Sequence, residues 1–245
     1  MRYLVLADIH GNLHGLQAAL DAARTEGFDR ALVLGDIVGY GAYPNEVITA
    51  LQALPGLTII RGNHDKVVAG LGDSDDFNPV ARDGAHWSAR MLTEDHAAWL
   101  RGLPPGPAAV SDWIEICHGT PYNEDEYVLD PADAAHALRA ASRPLCLFGH
   151  THAAMAFRLT AGRLEWVEPG PDGRLPIRPE ATYLANVGSA GQPRDGDPRA
   201  AFGIADDEAR ELRFFRVAYD IPAAQAAIRA AHLPEALATR LALGR

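Results

Sequence analysis

Cysteine is nearly missing from this sequence: there are two in 245 residues, Cys117 and Cys146. Each stands inside an apolar run (WIEICHG and PLCLFGH), which reads as a buried strand thiol in a reducing compartment and excludes a disulfide framework. Long hydrophobic runs are missing too. The N-terminal MRYLVLADIHG starts like a signal peptide, but Asp8 cuts the apolar stretch far short of an h-region, and no small-residue cleavage site follows. No other run reaches the length of a membrane span, so a cytoplasmic protein with no membrane partner is expected. Positive charge is the third shortage. Against 32 Asp and Glu stand only 22 Lys and Arg, a formal net charge of −10. That balance argues against a broad basic surface for gripping duplex nucleic acid. It leaves a phosphate substrate open, because clustered carboxylates hold divalent cations and the cations invert the local sign.

What is present is ordinary for a globular chain: 48% apolar and 22% charged residues, with enough length for one α/β domain and a buried core. Tyr3 to Ala7, Ala31 to Leu34 and Leu57 to Ile60 are short apolar runs suited to buried strands. Between them lie a helix from about Leu13 to Thr25, closed by Gly27, and a second helix opened by Pro44 at its first turn. This βαβαβ start predicts a parallel sheet with helices over it. From about Asp65 to Gly106 the pattern turns helical, with Trp87, Met91, Leu92 and Trp99 spaced like an inward face. Strands resume at Ile114 to Cys117 and Leu145 to Phe148, around a helix near Pro131 to Ala141. After Ala154 the pattern is all-β, with strands at Met155–Thr160, Arg163–Val167, Tyr183–Val187, Ala201–Ala205 and Glu211–Arg216. Glu168 to Glu180, rich in Pro and Gly, reads as a surface loop. The alanine-rich tail from about residue 222 to 245 reads as two helical segments broken at Pro234, an extension that covers the sheet or serves a homo-oligomer.

Five segments share one grammar: an apolar strand ends and polar ligand types follow at once. They are ADIHGN (Asp8, His10), LGDIVGYG (Asp36), RGNHD (Asn63, His64), CHGT (His118) and FGHTH (His150, His152). Open α/β sheets place their sites just beyond the carboxyl ends of strands, so five such ends delivering Asp, His and Asn define one site. On a regular strand the X-gapped pairs Asp8/His10 and His150/His152 would share a face. Imidazole with carboxylate and amide oxygens suits Mn above all, with Fe, Ni, Zn or Mg also accommodated. The ligands are too many for one tetrahedral ion and fit two ions sharing a carboxylate.

The series D-x-H, G-D, G-N-H-D, H-G, G-H-T-H in this order resembles the calcineurin-like metallophosphoesterase superfamily across about 150 residues. NVGSAGQPRDGDPRA (Asn186 to Ala200) further resembles its small prokaryotic phosphodiesterase-like branch. The resemblance implies an α/β fold of two face-to-face mixed β-sheets flanked by helices, a four-layer αββα sandwich, in agreement with a βαβ half followed by an all-β half. It implies that Asp8, His10 and His152 hold one metal, that Asp36 bridges, and that Asn63, His118 and His150 hold the second. A hydroxide between the ions would be the nucleophile, and His64 would donate a proton to the leaving oxygen or stabilise the phosphoryl group.

One departure bears on substrate. Protein serine/threonine phosphatases of this superfamily carry GDxxDRG, whereas this chain has GDIVGYG, so Gly39 and Tyr40 replace a His-orienting carboxylate and a phosphate-binding guanidinium. Arg61 and Arg194 are the candidates to compensate, and Tyr40 is a candidate to stack on the substrate. The expected function is therefore phosphodiester hydrolysis on a small-molecule or nucleotide substrate. A phosphomonoesterase or protein phosphatase is the second reading. A binding scaffold without catalysis is the third, opposed by the fact that every ligand position is filled.

Overall fold

The computed structural model describes all 245 residues. The first half alternates strand and helix: β1 (Arg2–Leu6), α1 (Leu13–Glu26), β2 (Arg30–Val33), α2 (Pro44–Gln52), β3 (Thr58–Ile59), α3 (Asn63–Val68), α4 (Pro79–Met91) and α5 (Glu94–Arg101). There follow β4 (Ala108–Ala109), β5 (Ile114–Ile116), α6 (Pro131–Ala140) and β6 (Leu145–Leu147). The remaining strands are β7 (Met155–Thr160), β8 (Arg163–Trp166), β9 (Arg174–Pro176), β10 (Ala181–Asn186), β11 (Ala200–Asp206) and β12 (Glu211–Val217). The chain closes with α7 (Ile221–Ala230), α8 (Glu235–Thr239) and a 3-10 turn over Arg240–Leu243.

The strands form two six-stranded sheets, ordered β3-β2-β1-β11-β12-β9 and β4-β5-β6-β10-β7-β8. Each is mixed: β1, β2 and β3 run parallel, as do β5, β6 and β10, while the flanking pairs are antiparallel. Side-chain alternation along the strands builds the layers. In β1 and β2, Leu4, Leu6, Ala31 and Val33 face α1 and α2, whereas Tyr3, Val5 and Leu32, with Leu34 just after β2, face inward. There they meet Ile114, Ile116, Leu145, Leu147 and Tyr183 of the second sheet. The outer face of that sheet, with Cys146, Phe148 and Leu184, packs on Ala134, Ala137 and Leu138 of α6. The result is the expected αββα order. No helix is long and apolar enough to cross a membrane.

Three local expectations are corrected. The stretch from Glu168 to Glu180 is not simply a loop: β9 pairs with β12, Leu175 opposite Leu212, and Leu175 and Ile177 are buried. Its prolines hid a strand, but an edge position tolerates proline. In α4 the inward face is Ala81, Gly84, Ala85 and Ser88, whereas Met91 is 49% exposed. Small residues are required because the helix rests directly on main chain: Ser88 Oγ donates to Gly39 O at 3.1 Å, and a Cβ on Gly84 would stand 2.7 Å from that same oxygen. The C-terminal helices break at Pro234 as expected, but they cover Tyr40 and Ala81 through Ala224, Ile228, Leu237 and Leu241.

Candidate metal centre

Asp8 follows β1, Asp36 follows β2, Asn63 opens α3 after β3, His118 follows β5, and His150 and His152 follow β6. All lie at the carboxyl ends of parallel strands, where the peptide chain must turn away and leaves a crevice. The convergence of the X-gapped pairs is not that of a regular strand. Asp8, His10, Asp36, His150 and His152 each adopt a left-handed backbone conformation, with φ of 54°, 49°, 53°, 63° and 60°. Each such residue costs roughly 1–3 kcal/mol and persists only where the surroundings hold it. Main-chain bonds do so here: His10 N donates to Asp36 O at 2.9 Å and Gly11 N to Ile37 O at 2.8 Å. His150 N donates to Asp8 Oδ1 at 2.9 Å.

The ligand-type atoms gather into two groups that share one residue. Asp8, His10, Asp36 and His152 form the first, and Asp36, His118 and His150 the second, each within 4.8 Å. Asn63 Oδ1 joins the second at 3.2 Å from His118 Nε2. Asp36 reaches both groups, its Oδ2 lying 3.3 Å from His10 Nε2 and its Oδ1 3.4 Å from His118 Nε2. All seven residues expected as ligands thus meet in one pocket.

The donor set fits cations. Nδ1 of His10, His118 and His152 faces the carbonyls of Val38, Leu34 and Gln192 at 3.1, 2.7 and 2.7 Å. A carbonyl only accepts, so each Nδ1 carries a proton, and the rings of His10 and His152, which burial keeps neutral, turn an Nε2 lone pair to the centre. His10 Nε2 and His152 Nε2 then lie 3.0 Å apart, lone pair against lone pair. Asp8 Oδ2 and His150 Nε2 are buried with no partner at all. Such an assembly of inward acceptors is costly unless positive charge sits among them. The titration behaviour agrees. Burial, with Asp36 adding to it, pushes Asp8 up to about 7. Burial pulls His118 down, but the charge of Asp36 more than reverses this and takes it to about 10, so without a cation a proton on His118 supplies the positive charge beside Asp36. Burial and the charge of His118 take His150 down to about 3.

His64 is also buried beside this centre, its amide donating to Asp36 Oδ1 at 2.9 Å. Its ring lies between Tyr40 and Phe77, with centroids 4.5 and 4.4 Å away, and edge-on to His10 at 4.8 Å. Burial holds the imidazole well below its usual pKa, and Nδ1 has no partner. The GDIVGYG departure explains the missing partner: Gly39 has φ 132°, and a Cβ there would stand 2.7 Å from His64 Nδ1. Arg61 grips Glu124 through two bonds of 3.0 and 2.9 Å. Arg194 has no such acid; its Nη2 donates to Gln192 Oε1 at 3.0 Å and reaches Tyr40 OH at 3.4 Å. Tyr40 packs its ring 4.4 Å from His10. A cavity of about 490 Å³ opens from the centre, walled by Tyr40, Asn63, His64, Phe77, Tyr127 and His150, with Asp73 and Asp76 at its rim.

Several contributors escaped the sequence reading. Tyr127 stacks on His150 at 3.7 Å between centroids, yet nothing around it in NEDEYVLD marks it. Ser189 donates to Asp8 O at 2.7 Å, and Asn186 Nδ2 to Gly149 O at 2.8 Å. For these the glycines of NVGSAG were the available signal: a Cβ on Gly191 would stand 1.8 Å from Ile9 O, so the loop lies directly on the end of β1.

A two-sheet sandwich with a shared carboxylate and inward histidines at one end is the architecture of a metal-dependent phosphoesterase. The chain belongs to the calcineurin-like phosphoesterase superfamily, whose domain model matches residues 1–209. A protein of Methanocaldococcus jannaschii is 33% identical over 249 residues, covering 98% of this chain and 97% of the relative. The crystal structure of a metallophosphoesterase from Sphaerobacter thermophilus superposes with a TM-score of 0.86 at 37% identity, covering 100% and 99% of the two chains. A protein of Pyrococcus horikoshii shares the fold, with a TM-score of 0.78 at 23% identity over 100% and 98%.

Proposed function

We propose that this chain is a dinuclear phosphodiesterase acting on a small-molecule or nucleotide substrate, with manganese as its metal, in the cytoplasm. One observation carries the reading: Asp36 belongs to both groups of inward-facing ligand atoms. In this reading Asp8, His10, Asp36 and His152 hold one cation, and Asp36, Asn63, His118 and His150 hold the other. When bound, a pair of divalent cations neutralises phosphoryl oxygens and makes hydroxide available near neutral pH. The protein's share is positioning. The Nδ1-to-carbonyl bonds of His10, His118 and His152 fix each ring, so the Nε2 atoms need no reorientation. His64, held neutral by burial, has one N–H to offer as a hydrogen bond to a phosphoryl or leaving oxygen. Arg194 and Tyr40 border the substrate, and the cavity takes the group beyond the scissile bond.

Gly39 in place of a carboxylate supports a small substrate over a phosphoprotein, because His64 lacks the orienting acid of that class. Buried free thiols 3.6 Å apart fit a reducing compartment. Residues 1–245 act as one phosphoesterase domain whose helical extension, about 222–245, closes over Tyr40. The test is turnover of bis(p-nitrophenyl) phosphate against p-nitrophenyl phosphate with Mn, Ni, Fe or Mg supplied in turn. The diester is expected to be preferred by about tenfold or more, some 1.4 kcal/mol of barrier. Preference for the monoester would overturn the diesterase reading, and turnover of neither would return the scaffold.

A further inference from the structure

The arginines on the loops of the site, or bonded to them, divide into two kinds. Arg61 is paired with Glu124, Arg199 with Asp197, and Arg216 with Asp195. Arg194 and Arg240 pair with no acidic side chain, although both guanidiniums lie over the Tyr40 ring, at 5.7 and 5.9 Å from its centroid. Arg194 Nε is buried without a partner. Arg240 donates from Nε to the oxygen of Arg245, the last residue of the sequence, at 2.7 Å, and its terminal guanidinium N–H groups have no acidic side chain beside them. Burial, and then the charge of Arg194, depress the Arg240 pKa. Two like charges brought together in a half-buried place form an anion site awaiting its anion.

Their placement is built. Leu237, Ala238 and Leu241 are buried in one cluster with Tyr40, which seats the 3-10 turn carrying Arg240. Gly196 N donates to Gly244 O at 3.0 Å, fastening that turn to the loop that carries Arg194. The cavity itself is lined by Asp73, Asp76 and Asp125 and by one cation, Lys66, which Asp125 and Glu124 already hold. A second anionic group on the substrate is therefore disfavoured there and favoured beside the two arginines.

We infer that Arg194, Arg240 and the Tyr40 hydroxyl form a second anion subsite, and that the substrate carries another phosphoryl group next to the scissile one. The inference rests on the phosphoesterase reading for its catalytic meaning, but the binding of the second group does not need turnover. Guanidinium forks match phosphoryl oxygens in geometry as well as charge. Arg240 acts as a positioning residue for that group.

Inorganic pyrophosphate titrated by calorimetry into the metal-free full chain tests the subsite directly. Arg240→Gln should weaken binding by about tenfold, 1.4 kcal/mol, Arg240→Lys should recover part of it, and Arg229→Gln, altering an arginine paired with Glu235 on the same segment, should match the parent. In the metal-loaded enzyme, Arg240→Gln should raise KM for ADP by about tenfold more than KM for bis(p-nitrophenyl) phosphate, with kcat changed less. Equal pyrophosphate affinity in parent and Arg240→Gln overturns the subsite, as does an equal rise in KM for both substrates. If the parent hydrolyses neither compound, the phosphoesterase reading fails and the pyrophosphate titration still decides the subsite.

Discussion

Asp65 holds in place the main chain that follows Asp36: its Oδ1 accepts from Ile37 N at 2.9 Å and from Val38 N at 3.1 Å. Its Oδ2 accepts from Gly62 N at 2.9 Å and so caps α3. One fully buried carboxylate thereby joins two of the loops that carry ligand-type residues.

Asp65→Asn tests this junction. An amide retains one oxygen, and its NH2 then faces a main-chain donor. Leaving a buried donor unsatisfied costs about 1–3 kcal/mol. Urea unfolding of the metal-free chain is expected to show a loss of that size, with metal affinity falling as well. A variant as stable as the parent would mean that the three bonds are replaceable by water.

Metal removal should destabilise the fold, because the 3.0 Å approach of His10 Nε2 to His152 Nε2 sets two lone pairs together. At a cation concentration a hundred times Kd, binding adds about 2.7 kcal/mol, which for a chain of this size is a melting shift of roughly 5–10 °C. Calorimetric scans with manganese and with a chelator measure it. Identical melting temperatures would count against any cation at this centre.

Asp36 and His150 should differ in what their loss does to metal content. Asp36 serves both groups and His150 only one. His150→Ala should retain roughly half of the parent's metal and Asp36→Asn almost none, read by elemental analysis after dialysis. Both should lose more than about a hundredfold in kcat/KM. Equal metal content in the two variants would deny Asp36 its shared position.

Gly39→Ala puts a Cβ 2.7 Å from His64 Nδ1 and 3.0 Å from His10 Nδ1 at a backbone φ of 132°. Displacing His64 should lower kcat by about tenfold or more, since each 1.36 kcal/mol of lost transition-state stabilisation is tenfold. Steady-state kinetics at saturating metal measures this, and an unchanged kcat would mean that His64 takes no part in the reaction.

The sandwich and the gathering of seven ligand-type residues were legible because short strands advertise themselves by unbroken apolar runs, and the site sits where those runs stop. What stayed hidden depends on approach between distant segments. Nothing near Tyr127 reports that its ring will meet His150, and nothing in the tail reports that Arg240 will lie over Tyr40. Met91 fits a helical apolar face, but main-chain contact at Gly39 favours small residues instead. Leu175 and Ile177 alternate properly, but flanking prolines masked a strand that an edge accepts. The X-gapped ligand pairs were found for their spacing, yet left-handed turns deliver them.

The order of strands has a consequence for how such a chain is divided. Asp8, His10 and Asp36 leave the first sheet, and His118, His150 and His152 leave the second. After β10 joins the second sheet, β11 returns to pair with β1 in the first. Neither sheet is thus an uninterrupted length of sequence. A fragment ending just before β7 would own every ligand-type residue but lack the central neighbour of β1 and the Ser189 hydroxyl that braces Asp8. Cutting there strips β1 of its β11 partner and Asp8 of its brace, so the frame that carries the site has no seam along the sequence.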